Sequence, residues 1–280
     1  GFLVTQSWVG TARGRVFFIK RLLRLYPAIF LNLILVYFFI APITVTIPIS
    51  EYYEMVFQKI PLLLASSIFF EFPNLPSIFE ANPKSNFVNL SLWTLFYELM
   101  CYVVILVCGV LFGVKRAIPI VTIAYIGYFY HEIFFPITQI NLAFIHCAAF
   151  LLGSCFFIYQ KYIPINVTVA ALCLACLAVL FINDIYFLPL YLVSITYLTL
   201  YAALCSKYLG NAAKYGDFSY GLYIYAWPVQ QTVAILLDFN DKMFLFYMVT
   251  SFIVTLIFAV LSWYIVERPA IALKLKLRNI

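Results

Sequence analysis

The chain has 280 residues, 66% of them hydrophobic and only 10% charged, with a mean hydropathy of +1.03, whereas soluble domains average about 45–50% apolar and about 25% charged. This excludes a soluble globular protein and a disordered one, and a net charge of +6 scattered through apolar sequence excludes the solvated basic face of a nucleic-acid binder. What remains is an all-α, polytopic transmembrane helical bundle: a bilayer core satisfies backbone hydrogen bonds only in helices or closed barrels, and these apolar runs lack the alternation of barrel strands.

The chain opens on Gly1-Phe2-Leu3-Val4 as if inside an apolar segment, without Met or a signal peptide, and reads as a fragment. After the basic cluster Arg13, Arg15, Lys20, Arg21 and Arg24, the candidate spans are 25–47, 90–113, 117–130, 141–159, 163–182, 185–205, 219–237 and 243–265, eight in all. The apolar stretch 52–70 contains Glu54, Gln58, Lys59 and Pro61, so it could cross, re-enter or lie at the surface, and the charges decide. Basic residues collect in cytoplasmic loops. If 52–70 does not cross, 14 of the 17 basic residues share the side of the first cluster and 8 of the 11 acidic ones face the other. If it crosses, Lys115/Arg116, Lys161 and Lys207/Lys214 change to the wrong face. The expectation is one membrane domain over 1–280, an external segment from about 48 to 89, and a cytoplasmic C-terminus.

Polar groups inside apolar spans are costly and mark candidate sites. Glu98, in Ser91-Leu92-Trp93-Thr94-Leu95-Phe96-Tyr97-Glu98, lies roughly 12 Å below the outer end of its helix, with Thr94 one turn above and Tyr102 one turn below. It is either a functional carboxylate or a carboxyl that ties two helices together. In Lys20-Arg21-Leu22-Leu23-Arg24-Leu25-Tyr26-Pro27, Arg21 and Arg24 point the same way on a helix. They can grip one anionic group, such as the phosphates of a nucleotide, or serve as positive-inside anchors.

In Asp217-Phe218-Ser219-Tyr220-Gly221-Leu222-Tyr223-Ile224-Tyr225-Ala226-Trp227-Pro228, Asp217 or Ser219 is placed to cap a helix that Pro228 kinks. Tyr220, Tyr223, Trp227 and Gln230/Gln231 share one face. That stripe lines a substrate path, with a carbonyl freed near Ala226 as an extra acceptor, or packs as an aromatic belt. The seven cysteines fall in apolar spans and read as core residues, not as a disulfide framework. His131 and His146 form no metal-binding pair, and no metal site is expected.

The run Lys20-Arg21-Leu22-Leu23-Arg24-Leu25-Tyr26-Pro27, then Leu92-Trp93-Thr94-Leu95-Phe96-Tyr97-Glu98, then Ser219-Tyr220-Gly221-Leu222-Tyr223-Ile224, closing on Val266-Glu267-Arg268-Pro269, resembles the acyltransferase 3 family of integral membrane proteins along essentially the whole chain. The resemblance implies about ten spans, two of them upstream of Gly1, in an inner (plasma) membrane. It implies transfer of an acyl group, commonly acetyl, from acyl-CoA as co-substrate to a hydroxyl of a surface or exported glycan, with no bound cofactor. Lys20, Arg21 and Arg24 then belong near the CoA phosphates, Glu98 is the acid of the catalytic machinery, and Trp93, Tyr97, Ser219, Tyr220, Tyr223 and Trp227 are the substrate contacts.

The partners expected are acyl-CoA, a glycan or lipid-linked glycan, and membrane lipid. The family's catalytic His lies on a first span that this chain lacks, and Ala226 stands where some members have His, so the fragment itself is expected to work poorly or not at all. The competing expectations are a transporter or flippase for a lipid-linked glycan, and a binding subunit without catalysis.

Overall fold

Where no water is at hand, a backbone must satisfy its own polar groups, and the α-helix does so locally; among the described residues every regular element is helical. The computed structural model describes residues 1–11, 13–82, 87–134, 142–183, 187–205, 214–238 and 243–276, the side chains of 129–134, 142–144 and 274–276 excepted. Of the charged residues counted by side above, the basic Lys207 and Arg278 and the acidic Asp184 and Asp241, with the side chains of Glu132, Lys274 and Lys276, lie outside the described residues.

The helices are α1 (Phe2–Thr11), α2 (Gly14–Leu35), α3 (Ile49–Gln58), α4 (Ile60–Ile68), α5 (Trp93–Leu111), α6 (Val114–Phe134), α7 (Leu142–Ile158), α8 (Val167–Ile182), α9 (Leu188–Cys205), α10 (Ser219–Leu236), α11 (Phe244–Ser262) and α12 (Arg268–Lys276). Helix α2 starts at Gly14, ahead of the expected span start at 25, and carries Lys20, Arg21 and Arg24, so Arg21 and Arg24 stand three apart on one helix as their spacing suggested. Lys, Arg and Leu are all good helix formers, which carries the helix back through the basic cluster.

Among the described residues four helical stretches are long and apolar enough to cross a membrane: Gly14–Ile43, Leu90–Leu111, Leu188–Cys205 and Phe244–Leu273. Ile145–Ile158 and Val167–Ile182 are apolar but shorter. Among the described residues length and composition thus support four candidate spans, and the eight expected are not confirmed. Helix α10 does not qualify because Ser219, four aromatic residues, Gln230 and Gln231 dilute its apolar character. The 52–70 stretch is split at Lys59 into α3 and α4, of 10 and 9 residues. At 1.5 Å per residue neither extends beyond about half of a hydrocarbon core about 30 Å thick.

The chain forms two compact units, Gly1–Phe18 with Tyr97–Tyr215, and Ile19–Phe96 with Gly216–Ile280. In the first, α6, α7 and α9 meet around Ala148, Leu152 and Leu192. Trp8 of α1 lies so close to Gly109 of α5 that a Cβ there would stand 2.2 Å from its ring. The Asn166 side chain caps α8 by accepting from the Val169 N–H at 2.9 Å. All seven cysteines are free thiols.

In the second unit α10 packs on α11, and Gly221 makes that possible: a Cβ on it would lie 2.7 Å from the Ala259 Cα. Two π-helical turns, Val36–Ile40 and Trp263–Glu267, each end just before a residue pair closed by proline, Ala41-Pro42 and Arg268-Pro269. At the first, Ala41 donates to Val36, five residues back, and Pro42 has no N–H to give. The carbonyls of Tyr37 and Phe38 thereby lose their helical donors. The hydroxyls of Tyr52 and Tyr53 on α3 replace them, at 2.8 and 3.0 Å.

Candidate functional site

The second unit contains a cluster of charge built on three elements. Arg24, from the middle of α2, donates from Nη2 to Oδ2 of Asp217 at 2.6 Å, and its Nη1 faces Oε2 of Glu267 at 3.9 Å. The guanidinium also lies over the Tyr220 ring, 5.6 Å from the centroid, an attractive arrangement for a partly desolvated cation. The Tyr220 hydroxyl donates to the Leu25 carbonyl at 3.0 Å, which fixes the ring against α2.

Asp217 lies just ahead of α10 and accepts from the Ser219 hydroxyl at 2.6 Å; the N-cap position itself is Phe218 and no side chain caps it, so neither Asp217 nor Ser219 takes the capping role expected of them. Partial burial pushes its carboxyl up, but the Ser219 hydrogen bond and the Arg24 guanidinium outweigh that and hold it below the usual carboxylate value. Glu267 is only 1% exposed. It stands at the end of the second π-helical turn, a geometry often found at functional positions, and its Oε1 accepts from the Ser262 hydroxyl at 2.9 Å. One guanidinium is thus shared by two carboxylates, one half-exposed and one buried. An incoming anion at Arg24 has to compete with both, and the half-exposed Asp217 is the partner that can be displaced.

Lys20 and Arg21 are half-buried one turn earlier on α2. Of the residues singled out in the sequence, Arg24, Ser219 and Tyr220 come together here. Glu267 belonged to the closing motif but was not picked as a site residue. A lone acid at the end of an apolar helix, followed by Arg-Pro, was the available signal.

The remaining stripe on α10 is occupied by the chain itself. The Tyr223 hydroxyl meets both the Ser91 carbonyl and the Thr94 hydroxyl. Trp227 donates from Nε1 to the Phe87 carbonyl at 3.0 Å, and Asn82 bonds the Gln231 side-chain and main-chain oxygens at 2.6 and 2.9 Å. The carbonyl that Pro228 frees near Ala226 is that of Ile224, four residues before the proline. It is not open to a ligand: the amides of Asn32 and Asn89 both donate to it, at 3.0 and 2.8 Å, and Asn89 also donates to Asn32 at 3.1 Å. Both asparagines are buried.

In the first unit Glu98 is half-buried on α5 and accepts a short hydrogen bond from the Tyr102 hydroxyl one turn on. Tyr97 is half-buried beside it, while Trp93, the first residue of α5, is exposed. Cys101, three residues beyond Glu98, has its sulfur 3.7 Å from that of Cys147 on α7. A carboxyl bonded to a phenol inside an apolar helix can orient a neighbouring base or exchange a proton. Among the described residues no group of three or more His, Cys, Asp or Glu is placed to hold a metal ion.

No family model matches the chain, and no solved structure does. The chain is similar to a protein named O-acetyl transferase from Shigella phage Sf6, 26% identical over 286 aligned positions that cover 96% of this chain and 80% of that protein. With the apolar helices, this distant similarity supports a transferase in a membrane, and more narrowly a membrane acetyltransferase.

Proposed function

We propose that the protein is an integral membrane O-acyltransferase that moves an acyl group, acetyl in the first instance, from acyl-CoA to a hydroxyl of a surface or exported glycan. The proposal places it in an inner membrane with its C-terminus in the cytoplasm. The observation that carries it is the similarity to an O-acetyl transferase over 96% of the chain. In the reaction a hydroxyl oxygen attacks the thioester carbonyl, the new C–O bond replaces the C–S bond, and CoA leaves as the thiol. A base must take the hydroxyl proton, a task worth about 10²–10⁴ in rate.

In this reading Lys20, Arg21 and Arg24 take the phosphates of the donor, which displace Asp217 from Arg24. Glu98, held by Tyr102, orients a base or takes the proton itself. Trp93, Tyr97, Ser219, Tyr220, Tyr223 and Trp227 shape the surroundings in which the substrates move.

The test uses membranes of cells that express the full-length protein, incubated with acetyl-labelled acetyl-CoA and a glycan or lipid-linked glycan fraction. Label entering the glycan only when the protein is present, and falling in Glu98→Gln and in Arg21→Gln/Arg24→Gln, is the expected result. Label that never enters glycan, or transfer indifferent to all three substitutions, ends the proposal.

A further inference from the structure

The turn between α5 and α6 borders a cavity of about 580 Å³ lined by Leu111, Phe112, Ile120 and Val121 together with Cys108 and Arg116. Its size falls in the range of small-molecule sites. Its position in the bilayer is set by the chain. The candidate span Leu90–Leu111 ends at the cavity, and Gly113, at φ +78°, takes the left-handed conformation that lets the chain reverse into α6. The walls therefore stand where hydrocarbon gives way to headgroups.

Two features of this cavity need different things from one ligand. The walls are apolar, and Leu111, Phe112 and Ile120 are exposed. Arg116 is also exposed, and among the described residues no hydrogen bond or ion pair engages its guanidinium. It stands in the first turn of α6 beside Lys115, where the helix dipole adds further positive potential. A free phosphate would meet the charge and leave the walls empty. A neutral lipid tail would fill the walls and leave the charge unmet.

We propose that this cavity is a binding site for an anionic phospholipid, with an acyl chain along Leu111, Phe112, Ile120 and Val121 and the phosphate on Arg116. Basic pockets between membrane helices recognise anionic headgroups in this way, and the planar guanidinium suits a phosphate. On the charge distribution of the sequence, the lipid comes from the cytoplasmic leaflet. Nothing in this assignment depends on the transferase reading.

The experiment is native mass spectrometry of the detergent-purified protein equilibrated with equimolar phosphatidylglycerol and phosphatidylcholine. One retained phosphatidylglycerol is expected, preferred by roughly fivefold, the ratio that one basic residue near a lipid surface provides. Arg116→Gln brings the two lipids to parity. Ile120→Trp, which fills the cavity from an exposed position, removes retention of both. Equal retention of the two lipids by the unaltered protein overturns the proposal, as does undiminished preference in Arg116→Gln, or binding of glycerol phosphate as tightly as the lipid.

Discussion

The amide knot on the Ile224 carbonyl makes a prediction whose size follows from the contacts. Asn89→Leu removes three hydrogen bonds: two donated by Nδ2, to Ile224 at 2.8 Å and Asn32 at 3.1 Å, and the one its Oδ1 accepts from the Ser91 N–H at 3.1 Å. At about 0.5–1.5 kcal/mol each the cost is about 2–4 kcal/mol. Pro228→Ala supplies the missing N–H to Ile224. In the unaltered protein that carbonyl is already satisfied, so the gain is small, whereas in Asn89→Leu it replaces a lost donor. A double-mutant cycle by SDS titration of the detergent-solubilised protein, followed by helical circular dichroism, should show Pro228→Ala rescuing Asn89→Leu with a coupling of about 1 kcal/mol. Additivity within about 0.3 kcal/mol would mean that the proline and the asparagine do not share an acceptor, and the account of the knot fails.

Arg24→Gln leaves the buried Glu267 without its cation and should cost about 2–4 kcal/mol in the same titration, discounted because Asp217 is half-exposed; Arg24→Lys, which keeps charge but not the fork, should cost less. Because the Asp217 carboxyl is held below its ordinary value, its contribution is present above the unfolded value of about 3.9 and is lost as pH falls through the folded one. Thermal unfolding of the protein and of Asp217→Asn should accordingly differ near neutral pH and converge in acid; a gap that widens in acid reverses the sign and defeats the assignment. Glu98→Gln keeps an acceptor for Tyr102 but cannot take a proton, so acetyl transfer should fall by about 10²-fold or more with thermal unfolding little changed. Equal losses of activity and stability would make Glu98 a structural group.

Much of the helical framework is legible in the sequence because apolar runs and punctuation set it. The 219–237 expectation and α10, Ser219–Leu236, agree within a residue, since a Gly-Asp-Phe-Ser turn precedes the helix and Asp238 follows it. The start of α2 is less legible: the apolar run begins only at 25, and the helix reaches back to Gly14 through the basic cluster because Lys, Arg and Leu favour it. The candidate site is partly legible. Arg24, Ser219 and Tyr220 stand out as polar residues at membrane edges, but their meeting with Glu267, 243 positions along from Arg24, depends on how α2, α10 and the turn after α11 come together, which no local pattern reports. Nor does the sequence tell Asn32 and Asn89 from ordinary polar residues.

Those asparagines show how polar residues in an apolar chain are to be weighed. Before a buried amide or hydroxyl is assigned to a substrate, the carbonyls that proline strips of their donors have to be matched, because an unpaired carbonyl in this setting costs more than most site geometries return. Pro42 accounts for Tyr52 and Tyr53, and Pro228 accounts for Asn32 and Asn89. Tyr220, Tyr223 and Trp227 are likewise held by backbone carbonyls, so they set the position of α10 before they can touch a ligand. What this matching leaves over is charge: Arg24 between two carboxylates in one unit, and Glu98 with its tyrosine in the other. Backbone repair requires neither, so these are the groups on which a chemical role has to rest.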